Sequence, residues 1–349
     1  MASVEGGEAS SEDYSIASQL AVRAPRVRIA LLSNPRSTGN IAQLPRIRAY
    51  CDEHPDVFHY EVEEASQIGE AMKVIARVRP KVLAINGGDG TVQAALTELY
   101  NGGHFGDTPP PVAVLPSGKT NLIALDLGAR GDPIATLEQL IELARTDHLA
   151  PYTVSRELIA LRHPGSPDRP VIGMFLGGAG LADTMLYCRE RIYPLGLPNG
   201  IAHGITAFAM LAKMFFKMKS SFLPPDPEPL NISMSDGGNR LSGKFSLLAV
   251  TTLEKLLLKS DLGTRRAGSL RILAVEERPM SILRGIAASI AGKLGQASLR
   301  GVHFEQADEI TIEGDRSNLI LDGETFRTEA GRPISLRPAL PLSFVKLAA

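Results

Sequence analysis

The chain has 349 residues, of which 44% are hydrophobic and 21% charged, and a formal net charge of −1. That length exceeds one ordinary core and implies two globular domains. The charge balance excludes a globally basic nucleic-acid binder. Only two cysteines, Cys51 and Cys188, occur, which excludes a disulfide framework beyond one bridge and fits a reducing, cytoplasmic setting.

Residues 1–25 are rich in Ser, Glu, Ala and Gly and lack the basic-then-apolar plan of a signal peptide, so they read as a mobile tail. From residue 26 to about 150, strand and helix patterns alternate. "VRIALLS" (27–33), "VLAIN" (82–86) and "VAVL" (112–115) read as buried strands, and "LPRIRAYCDE" and "SQIGEAMKVIARVR" have helical spacing. This alternation predicts a parallel, Rossmann-like sheet. Three strand ends run into polar, glycine-bearing turns: Asn34-Pro35-Arg36-Ser37-Thr38-Gly39-Asn40, Gly87-Gly88-Asp89-Gly90-Thr91, and Leu115-Pro116-Ser117-Gly118-Lys119-Thr120-Asn121. Ligands of open α/β sheets bind at the carboxyl ends of strands, so three such loops on one edge predict a crevice. The "SGKT" of the third loop is not a P-loop, because Ala113 stands where that signature needs its first glycine.

Beyond Pro151 the texture changes. "YTVSRELIALRH", "RPVIGMFLGG", "NISMSD", "KFSLLAVTT", "SLRILAVEE", "DEITIEG" and "LILDGE" read as short strands, separated by turn-rich segments such as "HPGSPDR" and "LPPDPEP". A mostly β, sandwich-like second domain with two or three inserted helices follows. The closing "ISLRPALPLSFVKL" ends in that domain or returns to the first. No apolar run reaches the roughly 20 residues of a membrane span. The nearest, 201–222, carries His203, Lys213, Lys217 and Lys219. Within 204–224, Phe208, Leu211, Phe215 and Met218 have near-helical spacing beside those lysines, which suits an interfacial element or a core helix. The leucine-rich, basic stretch 253–266 is a second such candidate or a surface loop.

Two glycines after a buried strand let the backbone approach a phosphate, and the amides of the following helix N-terminus would point at it. Asp89 is the odd member. It holds Mg²⁺, makes a hydrogen bond, or caps the helix. Asp322 follows an apolar strand, where an Asp-Gly pair serves a hairpin turn or a carboxylate base. Arg36 and Lys119 offer phosphate neutralisation; for Arg36 a solvated loop position is the alternative.

Gly87-Gly88-Asp89-Gly90-Thr91 resembles the central motif of the diacylglycerol kinase catalytic superfamily, which includes bacterial diacylglycerol kinase-like lipid kinases, sphingosine kinases and ceramide kinases. Asn34-Pro35 with Ser37 is similar to its first loop, Asn-Pro-x-Ser-Gly, a stretch that here also holds Arg36 and Thr38. Leu115-Pro116-x-Gly118-x-x-Asn121 resembles its third loop, Leu-Pro-x-Gly-Thr-x-Asn, with Lys119 and Thr120 between. Asp322-Gly323-Glu324 is similar to its late Asp-Gly-Glu.

The resemblance implies an N-terminal phosphofructokinase-like α/β domain (26–150), a C-terminal β-sandwich domain (151–349), and a nucleotide in the cleft between them. It implies ATP held by Asn34 to Thr38, Gly87 to Thr91 and Gly118 to Asn121. It also implies Mg²⁺ at Asp89, Asp322 as general base, and Glu324 holding metal or orienting substrate. The substrate would be the primary hydroxyl of diacylglycerol or a ceramide-type lipid, met at the inner face of the cell membrane through 204–224 and 253–266. A soluble-nucleotide kinase of the NAD type and a nucleotide-gated lipid-binding protein are the alternatives.

Several positions depart from the pattern. Gln93 and Ala94 replace the family's Asn and Glu, Leu122 replaces an Asp, and Lys119 replaces the nucleotide-contacting Thr. Asp126, one turn beyond Leu122, could substitute for the lost acid. Gly178-Ala179-Gly180-Leu181-Ala182-Asp183 inverts the end of a Gly-x-Gly-x-Asp-Ala motif, and Arg266-Ala267 stands where bacterial relatives have an acidic pair before the Gly of Gly268-Ser269-Leu270. A structural metal site there is predicted to be absent.

Overall fold

The computed structural model describes residues 28–117, 122–192, 225–235, 239–253, 266, 268–292 and 298–347. Gly118, Lys119, Thr120 and Asn121, the segment 204–224 and most of 253–266 lie outside the described residues.

In the first domain, β1 (Ile29–Ser33), β2 (Val57–Glu61), β3 (Val82–Asn86) and β4 (Val112–Val114) form a parallel sheet in the order β2-β1-β3-β4. β1, β3 and β4 are buried, largely apolar runs because both faces are covered, whereas β2 at the edge is half-buried. Ala30, Leu32, Leu83 and Ile85 point to one layer, with α2 (Ile68–Val78) and α3 (Asp89–Asn101). Ile29, Leu31, Val82 and Ala84 point to the other, with α1 (Asn40–Glu53) and α5 (Pro133–Arg145). Period-two alternation thus fills two cores from the same strands. The short α4 (Leu122–Asp126) follows the third loop.

The second domain is antiparallel. A six-stranded sheet runs β12-β11-β10-β7-β14-β15, made of β7 (Phe175–Gly178), β10 (Phe245–Thr251), β11 (Leu270–Glu276), β12 (Val302–Ala307), β14 (Asn318–Leu321) and β15 (Glu324–Arg327). Across a core that includes Leu176, Phe245, Leu248, Ile272 and Leu319 it faces β5 (Thr153–His163), β8 (Leu230–Met234), β13 (Ile310–Gly314) and β16 (Ile334–Val345). β9 (Arg240–Gly243) extends that layer beside β8. Two described helices are inserted, α6 (Gly180–Tyr187) and α7 (Pro279–Ile290).

Two segments differ from the sequence expectation. "HPGSPDR" is a tight hairpin whose second half already belongs to β6 (Ser166–Gly173), an edge strand paired only with β5, where Pro167 and Pro170 need no ladder donor. "RPVIGMFLGG" is not one strand. It breaks at Met174, with β6 in the large sheet and β7 in the small one.

The closing strand β16 pairs with β5 along its length, with β13 near its start, and with β4 in parallel at Phe344↔Val112. Phe344 is fully buried in the first domain's core. Phe344→Ala is therefore expected to cost about 3–5 kcal/mol, read by chemical denaturation.

Candidate phosphoryl-transfer site

The three loops meet at the carboxyl edge of the first sheet. Asn34 braces the first loop to the second: its Nδ2 donates to Thr91 Oγ1 at 2.9 Å, while its Oδ1 accepts from the Arg36 amide at 2.9 Å. Ser37 Oγ donates to the Ser117 carbonyl at 3.5 Å, tying the first loop to the third. A side chain at Gly39 would collide with that same carbonyl, so the first and third loops touch backbone to backbone. Pro35 is half-buried and Thr38 exposed. Arg36 is engaged at the surface, 2.8 Å from Glu63 and 3.5 Å from Glu64. Its guanidinium is thus held by carboxylates of the β2–α2 connection.

Beneath the loops lies a network that sequence reasoning missed. Asn40 Nδ2 donates to the carbonyls of Asn34 and Asn86, both at 2.8 Å. Asn86 Nδ2 donates to Ser33 Oγ at 3.0 Å, which lies 2.8 Å from His59 Nε2. Burial lowers the His59 pKa, which favours the neutral ring. Asn40 Oδ1, Asn86 Oδ1 and Ser117 Oγ are buried polar atoms without a protein partner. Buried acceptors are ordinarily satisfied, so this cluster suits a bound polar group or ordered water. The one signal in the sequence was an Asn closing an otherwise apolar strand, "VLAIN".

Gly88 caps α3 with extended backbone, and the helix starts at Asp89 rather than near Thr91. Its N-terminal amides and dipole favour an anion there. Gln93, at one departing position, is buried. Its Nε2 donates to Thr97 Oγ1 at 2.9 Å, and that hydroxyl accepts from the Ile172 amide at 2.9 Å. This links α3 to β6 across the two domains. Asp126 is also buried, 3.3 Å from Arg156 on β5, so its carboxylate is committed to an ion pair.

Asp322 arrives from the second domain. Asp322 and Gly323 form the two-residue turn between β14 and β15, with φ of 44° and 95°. Two positive φ values are what a type I′ hairpin needs, so the residue is a hairpin-turn Asp, and its side chain is buried. The carboxylate accepts from the Met174 amide at 2.6 Å and the Phe175 amide at 3.0 Å. These donors exist because the chain breaks between β6 and β7 at that point. Gly323 packs against the second loop: a Cβ there would lie 3.3 Å from the Gly90 amide nitrogen. The Asp-Gly turn thus meets Gly90 across the domain boundary.

Burial pushes the Asp322 pKa up to about 7; the Met174 and Phe175 amides oppose this and the Asp89 charge adds to it. Burial also pushes Asp89 up to about 6. Glu324 is exposed on β15, its pKa raised by partial desolvation with His163 opposing. Asp183 accepts from Asn318 Nδ2 at 2.8 Å, which ties α6 to β14.

Among the described residues no three His, Cys, Asp or Glu gather closely enough to hold a metal alone. Mg²⁺ is satisfied by one or two carboxylates with waters and substrate phosphates, and Asp89 at the start of α3 fits that donor set.

Gly173 packs directly against the Asp322 carboxylate. A Cβ there would stand 2.6 Å from Asp322 Oδ2 and 2.7 Å from the Leu321 side chain. Gly173→Ala is expected to tilt the carboxylate and lower kcat about tenfold or more with ATP binding kept, measured by initial rates and nucleotide titration.

Residues 28–149 match the diacylglycerol kinase catalytic domain family. No curated protein matches the sequence. A crystal structure of a diacylglycerol kinase from Bacillus anthracis str. Sterne is similar at TM-score 0.55 and 16% identity, covering 92% of this chain and 97% of that one. A candidate diacylglycerol kinase from the same organism is similar at TM-score 0.58 and 16% identity, with the same coverage. These likenesses show the fold: an α/β domain followed by an antiparallel sheet domain. Residues 28–149 thus match a kinase catalytic-domain family, that of the diacylglycerol kinases, and the chain as a whole shares the two-domain fold of these structures.

Proposed function

We propose that the protein is an ATP-dependent lipid kinase that phosphorylates the primary hydroxyl of diacylglycerol or a ceramide-type lipid. The observation that carries this reading is the meeting of the Asp322-Gly323 turn with Gly90, at the N-terminus of α3. A phosphate chain laid on the three loops would end at that junction. Asp322, held by two amides, would accept the proton of the lipid hydroxyl as the new oxygen–phosphorus bond forms and the bond from the γ-phosphorus to the β,γ-bridging oxygen breaks, so that ADP leaves. Asp89, with the phosphates, would hold Mg²⁺, which would neutralise phosphate charge when bound. The amides of α3 would hold the phosphates in line, and the Gln93–Thr97–Ile172 link would keep the domains in register for transfer. The protein would act in the cytoplasm, at the membrane's inner face; none of the described helices is long and apolar enough to cross a membrane.

The test is a panel of diacylglycerol, ceramide, sphingosine and NAD, each incubated with γ-labelled ATP and Mg²⁺, the lipids in mixed micelles. Label in one lipid class supports the reading. Detergent-independent labelling of NAD overturns it. Lipid binding without any ATP turnover would make the protein a binding module.

A further inference from the structure

The helix α7 (Pro279–Ile290) is apolar on two sides. Its inner face sets Ile282 and Ala288 on the sheet between small residues. Ser281 and Ser289 are buried, and a Cβ at Gly285 would touch Val275 and Val302 in ordinary van der Waals contact. Its outer face carries Met280, Leu283, Ile286 and Ile290, exposed at 57%, 42%, 41% and 77%. At 100° per residue these four lie within one stripe about 120° wide. Half of the eight large hydrophobic side chains exposed on the described surface sit on this helix.

Charge says what covers the stripe. From Arg278 to Phe304, between Glu276-Glu277 and Glu305, the sequence contains Arg278, Arg284, Lys293 and Arg300 and no Asp or Glu, and the helix itself carries Arg284 as its one charged residue. Arg278 pairs with Glu276 at 3.2 Å, and Arg284 reaches the Arg300 carbonyl at 3.1 Å, which fixes its head beside the helix. An apolar stripe flanked by arginines is the pattern of a helix that lies in an anionic bilayer surface. A second copy of the chain fits poorly. Four side chains fall far short of the roughly 800 Å² per partner of a stable interface, and the basic flanks would face each other across a twofold axis.

Position connects the helix to the site. Ile282 and Ala288 pack on the cluster of Ala249, Leu273, Val275 and Val302, and Phe175 packs on that same cluster. The Phe175 amide holds Asp322. We infer that α7 docks the protein on an anionic lipid surface, setting the sheet that carries Asp322 against the leaflet. The inference deepens the lipid-kinase reading and rests on it for its purpose, but its test needs no turnover.

Sedimentation with phosphatidylglycerol-containing and pure phosphatidylcholine vesicles, without nucleotide, tests it on the full chain. Wild type is expected to bind the anionic vesicles. Leu283→Ser/Ile290→Ser should weaken that binding about tenfold or more, and Arg284→Glu should weaken it on anionic vesicles alone. Both variants should melt with the wild type and match it on a short-chain, monomeric lipid substrate. Unchanged vesicle binding by the double variant overturns the inference. So does a dimer that the double variant dissociates, which would make a second copy the occupant. A melt several degrees lower would make a segment of this chain the occupant and also overturn it. Docking without phosphorylation of any lipid keeps this helix and removes the kinase reading; phosphorylation with unchanged docking does the reverse.

Discussion

Asp322→Asn is expected to lower kcat for lipid phosphorylation by about 10²–10⁴-fold, the range for losing a positioned general base. The side chain keeps its size, so the Gly323 contact with Gly90 survives. The proton acceptor does not. An amide has one carbonyl oxygen, while the native carboxylate accepts from both Met174 and Phe175, so the variant turns an NH₂ toward one of those donors. That leaves one buried N–H unsatisfied, which costs about 1–3 kcal/mol and is readable in denaturation curves. Gly173→Ala separates the two effects. It keeps the base while crowding its carboxylate and the Leu321 side chain, so it should lose less activity than Asp322→Asn. Unaltered kcat in Asp322→Asn would remove the residue as base.

The second large effect is a pH dependence of opposite sign for rate and stability. A base must be unprotonated to act, so kcat/KM should rise with pH along a limb governed by Asp322, at about 7, and Asp89, at about 6. The two charges interact, so the limb belongs to the pair. Stability runs the other way. Both folded-state values lie above the ordinary 3.8. The contribution is therefore fully present below 3.8 and is lost as pH rises through about 6 and then about 7. For Asp322 the rise from 3.8 to about 7 corresponds to about 4 kcal/mol. Urea melts at about pH 5 and about pH 8 should show the loss, and Asp322→Ala should flatten it. A wild type equally stable at both would contradict the buried-carboxylate account. An activity profile level through pH 7 would contradict the role of the pair in the rate.

How much of this was legible varies by element. The continuous apolar strands "IALLS" and "VLAIN" announce a sheet covered on both faces, and the polar glycine turns after them announce loops at one edge. The Asp-Gly pair reads as a hairpin turn or as a base; the structure shows the turn, with its carboxylate held in the gap left at Met174. That gap is invisible in "RPVIGMFLGG", where apolar runs on either side of Gly173 give no sign that the strand changes sheets. The path of β16 is equally silent. A long apolar strand carries no label for the partner that Phe344 finds in Val112. Asn40 reads as the end of a polar turn and is fully buried, since its role depends on two carbonyls from separate segments. Gln93 loses the family's pattern for a local reason, its bond to Thr97.

The measurement that tests the central claim most directly is mass spectrometry of the lipid made by wild type and Asp322→Asn side by side from ATP, Mg²⁺ and micellar diacylglycerol or ceramide. The account predicts a lipid monophosphate esterified at the primary carbon from wild type and essentially none from the variant. Equal yields from both, or phosphate delivered only to water or to a nucleotide, would contradict it.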